Sequence, residues 1–449
     1  MESESKDSKT LTHIAGTFLI EATGSFLNGG GLGTGEYDNY TIVKTFRDGQ
    51  STRGYYTVPF ISAASWRRWL RDTLIKETGM KPSTIRALHK NPRGNTDKIG
   101  SERNPIEYIE DDVFGYMHPI SKADMAASKK AEAEVRLDAY TDDDEDETIE
   151  TEAEGIDKEV MTIRGLFRTS PFASSILRGL RKDGWQGIDQ NYVGLVEGSS
   201  QPYKTLFMNT ALQGVFDLHY DRLGVFANVG DRAELDHAMI NKYLNNKMLV
   251  VRPDKPEYFS LEKEEIPAAG AGTTTAATKK PKKEHFKQII KLGRIYELAR
   301  AGQIRKERAT ALLKSLVVLR GGAKQAAFGT DVSPKVIIMA GLTCGNPIFN
   351  ALFEDNSVEP NVGKNVGKNV VLNIDALKEI ITDYKDRICT PVIIGIRTGY
   401  MQNETKIKDL AGTVVNGSGI KIVVTTPVDA AKQMTELLPD GTSVQIDRQ

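Results

Sequence analysis

Six glycines stand in the twelve positions from Gly24 to Gly35, in the stretch GSFLNGGGLGTG that follows an apolar run. Glycine lets main-chain N–H groups come close to an anion, so the chemistry this composition suggests first is phosphate binding. A dinucleotide-binding loop places its glycines at i, i+2 and i+5. From Gly29 and Gly31 the third place falls on Thr34, and from Gly31 and Gly33 on Glu36. A Walker loop needs Lys followed by Ser or Thr, and neither this loop nor the later GKNVGKNV around Gly363 supplies that pair. The loop suits an anion without carrying either nucleotide signature.

Catalytic chemistry has less support. The six histidines are scattered without HExxH or HxH spacing, and the two cysteines, Cys344 and Cys389, form no CxxC motif. Neither a metal site nor a disulfide framework is expected, and no cofactor is implied. His219 lies on an expected strand, DLHYDRL, where a histidine more often serves structure, and no basic loop adjoins it in sequence. No residues are assigned as catalytic, and the chain is expected not to be an enzyme.

A net charge of −1 hides strong segregation. From Asp138 to Glu154 there are ten acidic residues and no basic one. From Thr41 to Arg103 there are thirteen basic residues against five acidic, and from Lys279 to Arg308 eleven against three. A polyanion-binding face with an acidic solvated loop has this pattern. No run of 18 apolar residues occurs, and the start, MESESKDSKT, is polar and acidic. A cytoplasmic protein with no membrane partner is expected.

The elements that must position these residues are read as follows. HIAGTFLIEATG alternates as a strand, with Ile14, Gly16, Phe18 and Ile20 on one face. YTIVKTFRDG is a second strand ending at the turn signal Asp48-Gly49, and the two would form a hairpin around the glycine loop. ISAASWRRWLRDTLIKETG is a helix capped by Ser62 or Ser65 and ended by Gly79. Trp66, Trp69, Leu70, Thr73 and Leu74 form its core stripe, and Arg67, Arg68 and Arg71 occupy its flanks and outer face. A second basic face runs from Val160 to Lys182 with Arg164, Arg168, Arg178, Arg181 and Lys182. Strands follow in TLFMNTALQGVFDLHYDRLGVFANVG, then a helix pair in HFKQIIKLGRIYELARAG and RKERATALLKSLVVLR. The latter runs into a second glycine turn, flanked by Arg320 and Lys324. The arrangement is a mixed α+β sheet domain with insertions. A glycine turn with an adjacent Lys or Arg recurs at segment ends, which holds phosphate oxygens without reading bases.

The ordered strings GTFLIEATGSFLNGGG, YTIVKTFRDG, PFISAASWRRWLRDTL, DDVFGYM, LFRTSPF, GVFDLHYDRLGVF and RGGAKQAAFGTDVSPK span about residues 13 to 340. Together they resemble the DevR family of CRISPR-associated proteins, within the Cas seven superfamily of repeated backbone subunits of type I, I-B-like Cascade complexes. The resemblance implies a ferredoxin-like palm similar to an RNA-recognition motif, with a central antiparallel sheet, a large helical fingers insertion and a thumb hairpin. It implies one elaborated domain over residues 11–449 with an insertion at 80–158; composition makes 138–154 an acidic disordered loop within it and 252–285 a flexible insertion or linker. The thumb is placed at 180–208, or else at 252–285; the former follows the arginine-rich strand and is favoured. The partners implied are guide RNA (crRNA), target DNA by way of the guide, further copies of the chain head to tail, and other Cascade subunits. The residues implied to meet RNA are Asn28, Gly29, Gly30, Lys44, Ser62, Arg67, Arg68, Arg71, Arg164, Arg168, Arg178, Arg320, Lys324 and Gln325. The acidic run belongs to none of these motifs.

Two other readings compete with an RNA-binding scaffold. One is a CRISPR-associated endoribonuclease of related fold that processes guide RNA, which would cleave a labelled repeat RNA. The other is a general single-strand binder, for which aromatic stacking should be prominent; aromatic residues are only 7% of the chain.

Overall fold

The computed structural model describes residues 9–33, 38, 40–51, 54–84, 86–90, 96–119, 165–180, 186–192, 202–229, 232–252, 262–264, 287–289, 293–355 and 370–441. The alternating stretch near the start is β1 (His13–Ser25). Ile14, Phe18 and Ile20 enter one core, whereas Ala15 and Leu19 enter another, so both faces of this strand are covered. The other elements used below are β2 (Gly29–Leu32), β3 (Tyr40–Val43), β4 (Thr45–Ser51), β5 (Gly54–Ile61), α1 (Ala63–Thr78), α2 (Ile109–Phe114), β6 (Leu177–Gly179), β7 (Pro202–His219), α3 (Ala301–Val317), β8 (Val336–Leu342), α4 (Ile374–Asp383), β9 (Val392–Ile396), β10 (Ile422–Thr425) and α5 (Pro427–Glu436).

The main sheet runs β10-β9-β8-β1-β7-β6-β5-β4. Its neighbours are antiparallel except for β9 and β10. β3 joins β7 in parallel and pairs with β2. Residues of α1, α3 and α5 close one face with Trp66, Leu70, Leu312, Leu316 and Met434. The other face is covered by α4 and the segments around it, with Phe349, Leu352, Leu377 and Ile381. The result is a mixed α/β fold built on a large, mostly antiparallel sheet.

Packing at the centre is set by paired glycines and rings. Gly16 opposes Phe216 and Gly214 opposes Phe18 across β1 and β7. A Cβ on Gly16 would lie 2.5 Å from the Phe216 ring, and one on Gly214 2.3 Å from the Phe18 ring. Trp66 meets Phe18 edge-on at 5.4 Å and donates its indole N–H to the Ser175 carbonyl at 2.7 Å. α1 is capped by Ser62, whose hydroxyl accepts the Ser65 N–H at 3.3 Å, and ends at Gly79 with φ of 65°.

Three expectations are corrected. β1 does not pair with the second expected strand; it pairs with β7 and β8, and the YTIVKTFRDG stretch divides at Lys44 into β3 and β4. Asp48-Gly49 is not a turn but lies where the β4–β5 register shifts, so the extra length is absorbed as a bulge. GRIYEL, expected as helix, is a strand from Gly293 to Leu298. It pairs with Val225–Val229 and Leu249–Val251 and buries Tyr296 and Leu298, an outcome of partners that local propensity does not reveal.

That strand belongs to a second, six-stranded sheet whose core holds Phe226, Leu235, Tyr243, Leu249 and Leu298. A buried ionic cage joins it to α2 and α3. Asp112 of α2 is fully buried and accepts from both Arg168 and Arg308. Arg168 also reaches Glu234 at 2.6 Å and the carbonyls of Asp112, Val225 and Arg222, with its guanidinium 4.6 Å from the Phe226 ring centre. Gly224 N–H completes the Asp112 shell at 3.1 Å.

Residues 186–192 pair antiparallel with 202–208, so the 180–208 region contains a hairpin. The acidic run at 138–154 lies outside the described residues, as does nearly all of 252–285. Among the described residues no helix is long and apolar enough to cross a membrane.

Candidate nucleic-acid interface

The glycine loop sits where β1 gives way to β2. The Asn28 carbonyl accepts the Lys44 N–H at 3.1 Å, and the Lys44 carbonyl accepts the Phe60 N–H at 3.0 Å. The Asn28 side-chain amide donates to the Phe60 carbonyl at 3.4 Å. β2, Lys44 and the end of β5 are thereby pinned together. Asn28 itself is buried, Gly29 is half-buried, and Gly30, Gly31 and the Lys44 side chain are exposed.

The second glycine turn, remote in sequence, closes on the same place. Ala323 donates its N–H to the Leu27 carbonyl at 3.0 Å. The main chain of Arg320 is held by Thr73, whose hydroxyl accepts the Arg320 N–H at 3.0 Å. Gly321 and Gly322 have φ of 152° and 110°, and a Cβ on them would lie 2.3 Å from Trp69 and 2.5 Å from Leu27. The turn is wedged between α1 and the exit of β1, and only glycine fits at either place. Trp69 is half-buried over this turn rather than deep in the core stripe. Gln325 closes the turn by donating its side-chain amide to the Gly321 carbonyl.

Lys324 has φ of 50°, a conformation non-glycine residues rarely adopt. Its ammonium lies 4.8 Å from the Phe26 ring centre and donates to Thr205 Oγ1 at 2.7 Å. Lys204, beside Thr205, donates to the Tyr40 hydroxyl at 2.9 Å. Arg178 of β6 stands opposite Phe60 of β5, its guanidinium 6.0 Å from the Phe46 ring centre. Lys44, Arg178, Lys204, Arg320 and Lys324 thus gather around two glycine turns whose carbonyls and amides are held in place. Cations and exposed main chain so arranged suit a phosphodiester backbone.

Other expected residues fall elsewhere. Ser62 is occupied as the cap of α1, and its hydroxyl lies 2.7 Å from that of Ser65. The arginines of α1 stand on the flank away from the glycine turn. Arg71 lies 5.2 Å from the Phe114 ring centre and 3.8 Å from Glu110, Arg68 pairs with Asp72 at 3.0 Å, and Arg67 donates to the Ala63 carbonyl at 3.3 Å. The helix shows Trp69, Thr73 and Glu77 to the turn instead, and Glu77 pairs with Arg320. Arg168 is corrected outright: it is 2% exposed inside the ionic cage, its donors satisfied by carboxylates and carbonyls, and it has no surface to offer a ligand. Arg164 lies outside the described residues.

Sequence reading missed Lys204, Tyr40, Phe46 and Phe60. The first two meet only because β3 joins β7 in parallel, with Lys204 opposite Tyr40. The signal for the rings was Lys44 and Phe46 at alternate positions of a basic, aromatic stretch.

A separate cluster occupies the far end of β1. The His13 and His219 rings stack at 4.0 Å, His219 Nε2 lies 2.8 Å from Asp221, and His13 Nε2 lies 3.9 Å from Asp217. Burial, reinforced by the His219 ring, holds His13 down to about 4, and burial pushes Asp217 up to about 6. Among the described residues no group of three or more His, Cys, Asp or Glu is arranged to hold a metal ion.

No family model and no curated protein matches the chain. Among solved structures, it is similar to a chain of a CRISPR RNA-guided surveillance complex, with a TM-score of 0.40 and 9% identity over 95% of this chain and 99% of that one. It is also similar to a chain of such a complex described as pre-nicking, with a TM-score of 0.41 and 10% identity over the same shares. At this level of likeness the functional reading depends on the chain's own side chains.

Proposed function

We propose that the chain is a non-catalytic, repeated backbone subunit of a type I-B-like CRISPR surveillance complex, holding guide RNA by its phosphates and leaving bases free for target DNA. The observation that carries this reading is the convergence of the two glycine turns, Leu27–Gly31 and Arg320–Gln325, with Lys44, Lys204 and Lys324 beside them. A subunit that must accept any guide sequence gains from backbone contacts and has no use for base-specific ones. The ordered motifs that resemble the DevR family support the same reading. Three of them, DDVFGYM, LFRTSPF and GVFDLHYDRLGVF, supply Asp112, Arg168, Arg222 and Gly224 to the ionic cage, so they shape the support of the site rather than its surface. In this reading the main sheet is the palm, of RNA-recognition-motif type, and the 186–208 hairpin is the thumb.

The test is to co-express the chain with its neighbouring genes and a CRISPR array, for wild type and for Lys44→Glu/Arg320→Glu. The expected wild type is a large particle with one RNA of discrete length, and the double variant loses both. A nucleic-acid-free monomer that cleaves labelled repeat RNA would overturn the scaffold in favour of the endoribonuclease.

A further inference from the structure

The outer face of β4, β5 and β6 carries a feature that phosphate binding does not use. Leu177 and Ile61 are paired and face the helix-covered core. Their neighbours Arg178 and Phe60, also paired, therefore stand on the opposite face. Phe46 of β4 joins them: its ring meets that of Phe60 at 5.8 Å and 70°, and the Arg178 guanidinium lies 6.0 Å from its centre. Both rings are half-buried, and neither belongs to a core cluster. The Phe60 main chain is the one pinned to Asn28 and Lys44, so the rings adjoin the glycine loop.

We propose that Phe46 and Phe60, with Arg178 at their edge, form a stacking platform for a base of the same RNA strand whose phosphates pass the glycine loop. The inference rests on the RNA-binding reading and deepens it. Every base has an apolar π-face, so stacking grips a strand without selecting its sequence. That property fits a site that must take any guide. A guanidinium beside the rings adds a planar cation that both stacks and meets phosphate. The platform also explains why two large aromatic side chains remain partly in water beside a basic loop, where a purely electrostatic site would gain nothing from them.

The experiment uses the full chain and two single strands of equal length, an RNA and its abasic ribose-phosphate counterpart, titrated across a salt series. Wild type is expected to bind the RNA about tenfold or more tighter than the abasic strand, the size of one stacked base. Phe46→Leu/Phe60→Leu, which keeps apolar bulk, is expected to lose that preference while keeping the slope of log affinity against log salt. Phe46→Tyr/Phe60→Tyr, which keeps both rings, is expected to retain the preference. Equal binding of the two strands by wild type overturns the platform and leaves the phosphate reading intact, as does a preference that survives in the Leu variant or vanishes in the Tyr variant. Failure of wild type to bind either strand overturns both.

Discussion

Arg168 and Lys44 carry the same charge to opposite ends. Arg168 is buried between Asp112 and Glu234, whereas Lys44 is exposed at the mouth of the glycine loop. Removing one member of a buried ionic group strands the others without water, at a cost of about 3–5 kcal/mol. Asp112→Asn, which faces both Arg168 and Arg308, is therefore expected to lower unfolding free energy by about that amount in a urea titration. Lys44→Ala is expected to leave stability within about 0.5 kcal/mol and to flatten the salt slope of RNA binding by about 0.7, the share of one phosphate on a single strand. The His13 and Asp217 pair makes a third prediction, on pH. In the unfolded chain His13 gains a proton below its ordinary 6.5, whereas in the fold Asp217 gains one below about 6 and His13 only near 4. Near pH 5 each state thus holds one proton on this pair, and the pair contributes almost no slope. Asp217→Asn leaves His13 alone: the unfolded state then binds the extra proton, and stability should fall as pH drops from 6.5 toward 4. His13→Gln leaves Asp217 alone: the folded state then binds it, and stability should rise as pH drops from 7 toward 4. The two slopes are opposite in sign and each about 1.4 kcal/mol per pH unit; slopes of the same sign in the two variants in a urea–pH series would refute the opposite burial shifts of His13 and Asp217.

Among the elements, the two glycine turns are not equivalent. A Cβ on Gly29 would meet the Phe26 ring first, at 3.5 Å, which is ordinary contact. A Cβ on Gly321 would lie 2.3 Å from Trp69 on a backbone with φ of 152°. Gly29→Ala should therefore fold and bind RNA nearly as wild type does. Gly321→Ala should push the turn off α1, lowering stability by about 2 kcal/mol and weakening RNA binding through displacement of Arg320 and Lys324. Thermal unfolding and RNA titration of the two variants separate these outcomes. The same contrast shows what the sequence makes legible. β1 and α1 with its Ser62 and Gly79 caps are readable, because period, caps and turn residues are local signals. The site itself is readable only in pieces. Glycines and lysines announce each turn, but no local pattern says that Leu27 meets Ala323 or that Lys204 meets Tyr40. Arg168 misleads for the same reason: the carboxylates that bury it come from Asp112 and Glu234, each distant in sequence.

At the scale of the molecule, the two glycine turns meet beyond one end of β1, with the His13 and His219 stack at the other. β1 has 13 residues, so the two ends are about 40 Å apart. A subunit whose proposed RNA-holding turns lie at one end has a direction, and copies that meet head to tail form an open filament unless their rotation closes a ring. Nothing in such an assembly except the RNA fixes where it stops. The reading therefore predicts that particle mass follows RNA length: mixed with two single-stranded RNAs, one twice as long as the other, the wild-type chain should form two discrete species whose protein content differs about twofold. Without RNA it should give a broad distribution. Light scattering coupled to sizing measures both, and Lys44→Glu/Arg320→Glu should abolish the discrete species while leaving the RNA-free distribution in place. A particle of one fixed protein mass on both RNAs would mean a closed oligomer, and the repeated-backbone reading would have to be given up even if RNA binding itself were retained.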